Sequence, residues 1–293
     1  MNKALAEIIA GFIPHKMTRN QWRGILRYGL IRALKLKQRL KHDKTQPQYY
    51  LAICAIAKNE GAYFEEWIEW HKNLGVEKFY IYDNESTDNT KEVLEPYIKS
   101  GLVEYVFWVG KRTQLVVYDD CFEKHRFHAR WIAVIDLDEF IVPIKDQTIP
   151  DFLKRFEDFS VVEINWLVYG SGGAEKKEAG SVMERFKYHS EPGHILNRHI
   201  KSIVNPRRVL SFIGAHEAAR ISGKAADSHG KPIKINFRDR EPQHDVIRIN
   251  HYAVKSYEEF LEKRARGSAR AAVNRHNFDF FHKYDLNDIK SET

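Results

Sequence analysis

Trp131-Ile132-Ala133-Val134-Ile135-Asp136-Leu137-Asp138-Glu139-Phe140 changes character halfway along. Its first half is an aromatic and β-branched run with no turn residue, the pattern of a buried strand. Its second half places three acids within four positions. On an extended chain, side chains two apart point the same way, so Asp136 and Asp138 are expected to project together while Leu137 turns back to the core. Two hard oxygen ligands at that spacing suit a divalent cation such as Mn2+ or Mg2+. Glu139 falls on the other face and is expected to brace the turn. An isolated D-x-D reads as readily as a solvated acidic turn, so the neighbouring segments must decide.

Upstream, three more strand patterns precede this one. Tyr50–Ala57 is a continuous apolar run, as expected of a central strand buried on both faces, and it ends in Lys58-Asn59-Glu60. Lys78–Tyr82 ends in Asp83-Asn84-Glu85, and Leu102–Phe107 leads to a helical pattern over Gln114–His128. Phe64, Trp67, Ile68, His71 and Leu74 fall at helical spacing between the first two strands, with Gly75 as the stop. Strand and helix alternate four times, which predicts an α/β fold with a mostly parallel, Rossmann-like sheet flanked by helices. Ligands bind beyond the carboxyl ends of such strands, and three of the four ends carry polar or acidic clusters. No G-x-G-x-x-G follows the first strand and no G-x-x-x-x-G-K-[ST] occurs, which disfavours dinucleotide oxidoreductases and P-loop phosphotransferases.

Downstream, a helix is predicted over Ile149–Phe156. A strand over Val161–Tyr169 then closes on Gly170-Ser171-Gly172-Gly173, a turn or a close approach of backbone to a sugar. Short strands are expected near 201–204, 209–213 and 246–249, with a polar loop over 222–245. Ser256 caps a last clear helix, and Arg264–Lys283 is basic and aromatic.

Three motifs together resemble the GT-A fold nucleotide-sugar glycosyltransferases, above all glycosyltransferase family 92 and related bacterial family-2-like enzymes. They are Ala57-Lys58-Asn59-Glu60, Tyr82–Thr90 and Ile135–Phe140; Trp166–Gly172 and Asn250–Ser256 resemble later motifs of that family. The resemblance implies that Asp83 bonds the uridine of a UDP-sugar, with Lys58 and Asn59 beside it. It implies Mn2+ or Mg2+ on Asp136 and Asp138, completed by His251, with Asp136 also facing the donor diphosphate. Lys255 and Arg207 or Arg208 would add positive charge, and Gln114, Tyr118 and Asp119 would line the donor pocket. Such enzymes usually invert the anomeric centre and need a general base. Glu217 is the candidate, oriented by His216, with Glu139 and Asp245 as competitors.

Residues 1–46 carry eleven Lys and Arg against Glu7 and Asp43, a net +9 within a chain of +7, so the remainder is slightly acidic at −2. Over residues 20–41, Trp22, Leu26, Leu30, Ala33, Leu36 and Leu40 share one side of a basic amphipathic helix, the pattern of a segment lying on anionic lipid. Packing of that helix on the body is the competing reading, and the acidic body argues against nucleic acid. No apolar run reaches the roughly 18–20 residues of a membrane span, and no signal peptide is recognisable. Cys54 and Cys121 read as buried thiols of a reducing compartment. Three regions are therefore expected: a membrane-association segment over 1–46, a glycosyltransferase domain over 47–266 and a helical tail over 267–293. The implied activity is metal-dependent transfer of a hexose, galactose first, to a membrane-presented glycan or lipid-linked saccharide, as in lipopolysaccharide or capsule synthesis. The enzyme would be cytoplasmic and peripheral on the inner face of the cell membrane. A nucleotidyltransferase or hydrolase using the same D-x-D, or a membrane-recruited carbohydrate-binding protein without catalysis, are the alternatives.

Overall fold

The apolar run at Tyr49–Ala57 is indeed the strand around which the protein is laid out. The computed structural model describes residues 29–111, 113–234, 236–267 and 276–291, with Trp22, Ile25 and Leu26. A helix α1 (Leu30–His42) precedes β1 (Tyr49–Ala57). Then come α2 (Gly61–Asn73), β2 (Lys78–Asp83), α3 (Thr90–Lys99), β3 (Val103–Phe107), α4 (Gln114–His125) and β4 (Ala129–Val134). The second half holds β5 (Glu139–Pro143), α5 (Ile149–Leu153), β6 (Val161–Val168), α6 (Val182–Arg185), β7 (Tyr188–His189), β8 (Ile200–Val204), β9 (Val209–Phe212) and β10 (Ala218–Arg220). It ends with β11 (Ala225–Ala226), β12 (Ile247–His251), α7 (Tyr257–Arg266), α8 (Phe278–Tyr284) and β13 (Ile289–Lys290).

The main sheet runs β3-β2-β1-β4-β8-β6-β12-β5, with β11 added beside β6. β1 pairs in parallel with β2 and β4, and β2 with β3. Only β8 and β5 run against the rest. Alternation along β1 shows why the strand is apolar throughout. Leu51, Ile53, Ala55 and Ala57 belong to one core, with Phe64, Trp67 and Ile68 of α2. Ala52, Cys54 and Ile56 belong to a second core on the other face, with Val117, Cys121 and Phe122 of α4. Both cysteines are free and buried.

The expected loop over 222–245 contains β11, whose two alanines pair with Val161 and Val162. Two residues are too few for a strand period to show in sequence. The expected glycine-rich turn receives the tail. A Cβ on Gly170 would lie 2.3 Å from Asn287 Oδ1 and 2.6 Å from Leu286 O. Ser171 N and Gly172 N donate to Asp285 Oδ1 (2.6 Å) and Asn287 Oδ1 (2.7 Å), and β13 pairs with β7. On the opposite flank, Ala33 of α1 is buried against Leu210, Ala219 and Ile221, with Leu36 and Leu40 alongside. Arg32 reaches Glu123 of α4 at 2.6 Å. Leu30, Ile31 and Leu34 of the same helix stay 53%, 71% and 55% exposed.

Candidate functional site

β4 stops at Val134, and the chain turns through Asp136-Leu137-Asp138 into β5. Asp136 N donates to Glu139 Oε2 at 2.9 Å and Glu139 N to Asp136 O at 3.1 Å, so Glu139 closes the turn as expected. β5 lies antiparallel to β12 with His251 directly opposite Glu139, and Tyr252 N donates to Asp138 O at 2.8 Å. The register of this strand pair is what joins residues so distant in sequence.

The result is a cleft of about 500 Å³ at the carboxyl ends of the strands. Lys58 and Glu60 after β1, Asp136 and Asp138 after β4, and His251 at the end of β12 all line it. Helix α7 adds Lys263 and Arg266, and α8 adds Asp279, Phe280 and Tyr284. The three non-glycine residues with positive φ among those described are Asn59 (51°), Glu85 (59°) and Lys255 (57°), each just beyond a strand end. Such conformations cost on the order of 1 kcal/mol or more and concentrate where function constrains the backbone.

Three cations serve the four carboxylates at the cleft floor, with Asp136 and Glu139 sharing one. Lys201 Nζ of β8 lies 2.6 Å from Asp136 Oδ2 and 3.1 Å from Glu139 Oε2. Lys263 Nζ donates to Asp138 Oδ2 at 2.5 Å and to Ala253 O at 2.7 Å, and Arg266 pairs with Glu60. Burial disfavours charge on Lys201, but Asp136 and Glu139 outweigh it and hold its pKa above the usual lysine value. Burial likewise opposes ionisation of Asp138, yet Lys263 and His251 hold its carboxyl well below the usual range. Glu139 goes the other way: burial pushes it up to about 8, with Lys201 opposing and Asp136 and Asp138 reinforcing.

Asp138, Glu139 and His251 each offer one ligand atom within 4.8 Å of the other two. Glu139 Oε1 and His251 Nδ1 are buried with no hydrogen-bond partner among the described residues. A buried polar atom without a partner costs free energy, and a ligand atom on each of the three residues, all within 4.8 Å, makes a set that fits a divalent cation. Of the expected ligands, Asp138 and His251 belong to this group. Asp136 does not: it faces Lys201 and receives Gln114 Nε2 at 3.3 Å. The strand ends two residues before Asp136, so the alternation that paired it with Asp138 no longer applies.

The other expected residues disperse. Asp83 is buried and accepts from Ser86 N (2.9 Å) and Tyr105 Oη (2.7 Å), beside a separate hollow of about 350 Å³. Asn59 ties the two strand ends together, its N donating to Ser86 Oγ at 2.8 Å and its Oδ1 accepting from Thr87 N at 2.7 Å. Gln114 lines the cleft, and Tyr118 is buried behind it against Phe212. Lys255 lies under the surface 4.1 Å from the Tyr63 ring, and burial, with Lys263 nearby, lowers its pKa to about 8. Arg207 bonds Asp43 and Thr45, and Arg208 bonds Asp158 O, neither lining the cleft. Asp245 pairs with Lys145 and His229 on the surface. His216 lines the cleft, whereas its neighbour Glu217 does not and meets Asn236 Nδ2 at 3.5 Å. Lys201, Lys263 and Arg266 were not expected. The Ser256–Glu259 capping box that starts α7 fixes the phase putting Lys263 and Arg266 on one face. Lys201 has no local sequence signal beyond a charge inside an apolar strand.

An α/β sheet with a cation-competent group at the carboxyl ends of its parallel strands is the architecture of a ligand-binding α/β domain. Residues 49–283 match the profile of glycosyltransferase family 92, and the chain belongs to that family. A family 92 protein of Ricinus communis is 25% identical over 233 residues, covering 78% of this chain and 39% of the plant protein. The galactan beta-1,4-galactosyltransferase GALS2 of Arabidopsis thaliana is 28% identical over 54% of this chain and 33% of its own length. The beta-1,4-galactosyltransferase galt-1 of Caenorhabditis elegans is 26% identical over 74% of this chain and 52% of its own length. The chain therefore spans between a third and about half of these relatives. Among solved structures, S. aureus TarS 1-349 overlaps 54% of this chain and 47% of its own at 13% identity and a TM-score of 0.36, too loose a likeness to bear on function.

Proposed function

We propose that this protein is a metal-dependent, inverting glycosyltransferase that moves a hexose, galactose first, from a UDP-sugar to a glycan acceptor. The observation that carries the reading is the group Asp138, Glu139 and His251, of which Asp138 and His251 line a cleft with Lys58, Lys263 and Arg266. Family membership and the galactosyltransferase names of relatives support the reaction class and the sugar. Mn2+ or Mg2+ on that group would supply Lewis-acid stabilisation of the charge growing on the leaving diphosphate. The chain's own cations do the rest: Lys58 and Arg266 face the cleft as diphosphate partners, and Lys263 balances Asp138. Asp138→Asn is expected to lower Mn2+-dependent UDP release from UDP-galactose by ~100-fold or more. Wild-type turnover in that variant, or undiminished turnover in EDTA, would sink the reading; pyrophosphate or UMP as product would favour the nucleotidyltransferase or hydrolase instead.

The acceptor in this reading is a membrane-presented glycan or lipid-linked saccharide, and the protein works as a peripheral enzyme on the cytoplasmic face. Support comes from α1, where exposed Leu30, Ile31 and Leu34 stand among Lys35, Lys37 and Lys41 on a helix already seated on the body. None of the described helices is long and apolar enough to cross a membrane. Flotation with phosphatidylglycerol vesicles should fall in the Leu30→Ser, Ile31→Ser, Leu34→Ser triple variant. Equal recovery of both proteins with anionic and neutral vesicles would remove the membrane from the proposal.

A further inference from the structure

The transfer reaction needs a base for the acceptor hydroxyl, and most acids of the cleft are already committed. Asp136 is paired with Lys201, Asp138 with Lys263 and Glu60 with Arg266. A carboxylate held by a cation is a weakened base. Glu217, the candidate from the sequence, does not line the cleft. The residue before it does.

We propose that His216 is the general base of the reaction, taking the acceptor proton on Nε2. Its Nδ1 lies 2.8 Å from Ile200 O. A carbonyl can only accept, so Nδ1 carries the hydrogen and the lone pair of the neutral ring sits on Nε2. The ring is also fixed in direction. Trp166 meets it edge-on at 5.3 Å, with His199 at 5.4 Å and Phe237 at 5.7 Å. Its own carbonyl accepts from Ser202 Oγ at 2.7 Å. Trp166 in turn lies 4.1 Å from the His251 ring. A single indole thus packs against both the proposed base and the His251 ring of the cation group. Geometry held this way is worth more than any shift in acidity.

The step balances without a further reagent. The acceptor oxygen forms its bond to the anomeric carbon as its proton passes to His216 Nε2. The bond from that carbon to the β-phosphate oxygen breaks, and its electron pair leaves on UDP. The imidazolium then returns its proton to water. This assignment rests on the proposed transferase reading, and the experiment separates the two.

The probe is UDP-galactose with Mn2+ and a β-1,4-linked galactose oligosaccharide. The oligosaccharide follows the galactan activity named for a relative. If the wild type forms no longer oligosaccharide and releases no UDP, the transferase reading and this proposal fall together. If it does, His216→Ala should lower kcat by ~10²–10⁴-fold while the Kd for UDP stays within about threefold. Added imidazole should restore part of the rate. His216→Asn, which keeps a donor for Ile200 O, should be as slow with an unchanged thermal midpoint, whereas Glu217→Gln should stay near wild type. Full turnover in either His216 variant overturns the assignment. So does a loss confined to Asp279→Asn, the exposed carboxylate on the facing helix α8, or a fall in UDP affinity matching the fall in kcat.

Discussion

His71 offers the sharpest physical test of how the site is held. It sits on α2, fully buried, with Nδ1 2.8 Å from Trp67 O and Nε2 accepting from Ile141 N at 3.2 Å. Both nitrogens are used by the neutral ring, and a second proton would cancel the Ile141 bond. Trp67 Nε1 and Trp70 Nε1 donate to Glu139 O (2.9 Å) and Ile141 O (3.0 Å), so this helix face clamps the start of β5, which carries Glu139. Burial lowers the His71 pKa from 6.5 to about 3, with the Trp67 carbonyl opposing. A folded pKa below the unfolded one means that the stability is complete above 6.5 and is lost as pH falls towards 3. Between pH 7 and pH 5 the linkage comes to ~2 kcal/mol, and the full loss below both pKa values to ~5 kcal/mol. Urea unfolding at the two pH values, for wild type and His71→Gln without added metal, isolates this contribution, because the other titrating groups cancel in the difference. The variant starts less stable but should lose about 2 kcal/mol less on acidification. Equal losses in the two proteins would refute the argument that the clamp depends on a neutral imidazole.

Two further outcomes follow from the packing. Lys201→Met leaves Asp136 and Glu139 without their cation and should destabilise the fold by ~3 kcal/mol, the low end for a broken buried pair. The low end applies because the Asp136 side chain is 34% exposed; an unchanged midpoint in thermal denaturation would show that the ion pair holds nothing. Gly170→Ala drives a methyl into Asn287 and Leu286 O and should cost ~1–3 kcal/mol by overpacking. Faster amide exchange confined to residues 276–291 is the expected readout, and exchange unchanged there would mean that the turn does not seat the tail.

The fold was legible because its signals are local. A nine-residue apolar strand, a helix face of Phe64, Trp67, Ile68 and His71, and four strand–helix alternations need no knowledge of distant contacts. The site was legible only as far as the turn itself. Reading Asp136 and Asp138 as a same-face pair assumed that the strand continued, and it ends at Val134. Glu217 is the sequence candidate because it follows a predicted strand, yet it is His216, in the loop between β9 and β10, that lines the cleft, a phase difference of one residue. Lys201 and Lys263 reach the turn from β8 and α7, and no periodicity encodes a pairing across that distance.

Those two lysines also explain how so many acids can share one buried corner. Glu60, Asp136, Asp138 and Glu139 crowd the ends of β1 and β4, and Asp136 and Asp138 each push Glu139 towards its neutral form. Taking several like charges out of water without counter-charges would cost several kcal/mol per ion. The chain supplies the counter-charges from outside the strand ends: Lys201 from β8, Lys263 and Arg266 from α7. The acids are therefore tolerable only once β8 and α7 have docked, and the site and the fold complete each other. A divalent cation adds a charge that the lysines cannot, since Glu139 Oε1 and His251 Nδ1 are still without partners among the described residues after every lysine is placed. The chain's own cations make the acidic corner foldable, and Asp138, Glu139 and His251 leave it a group able to take a metal.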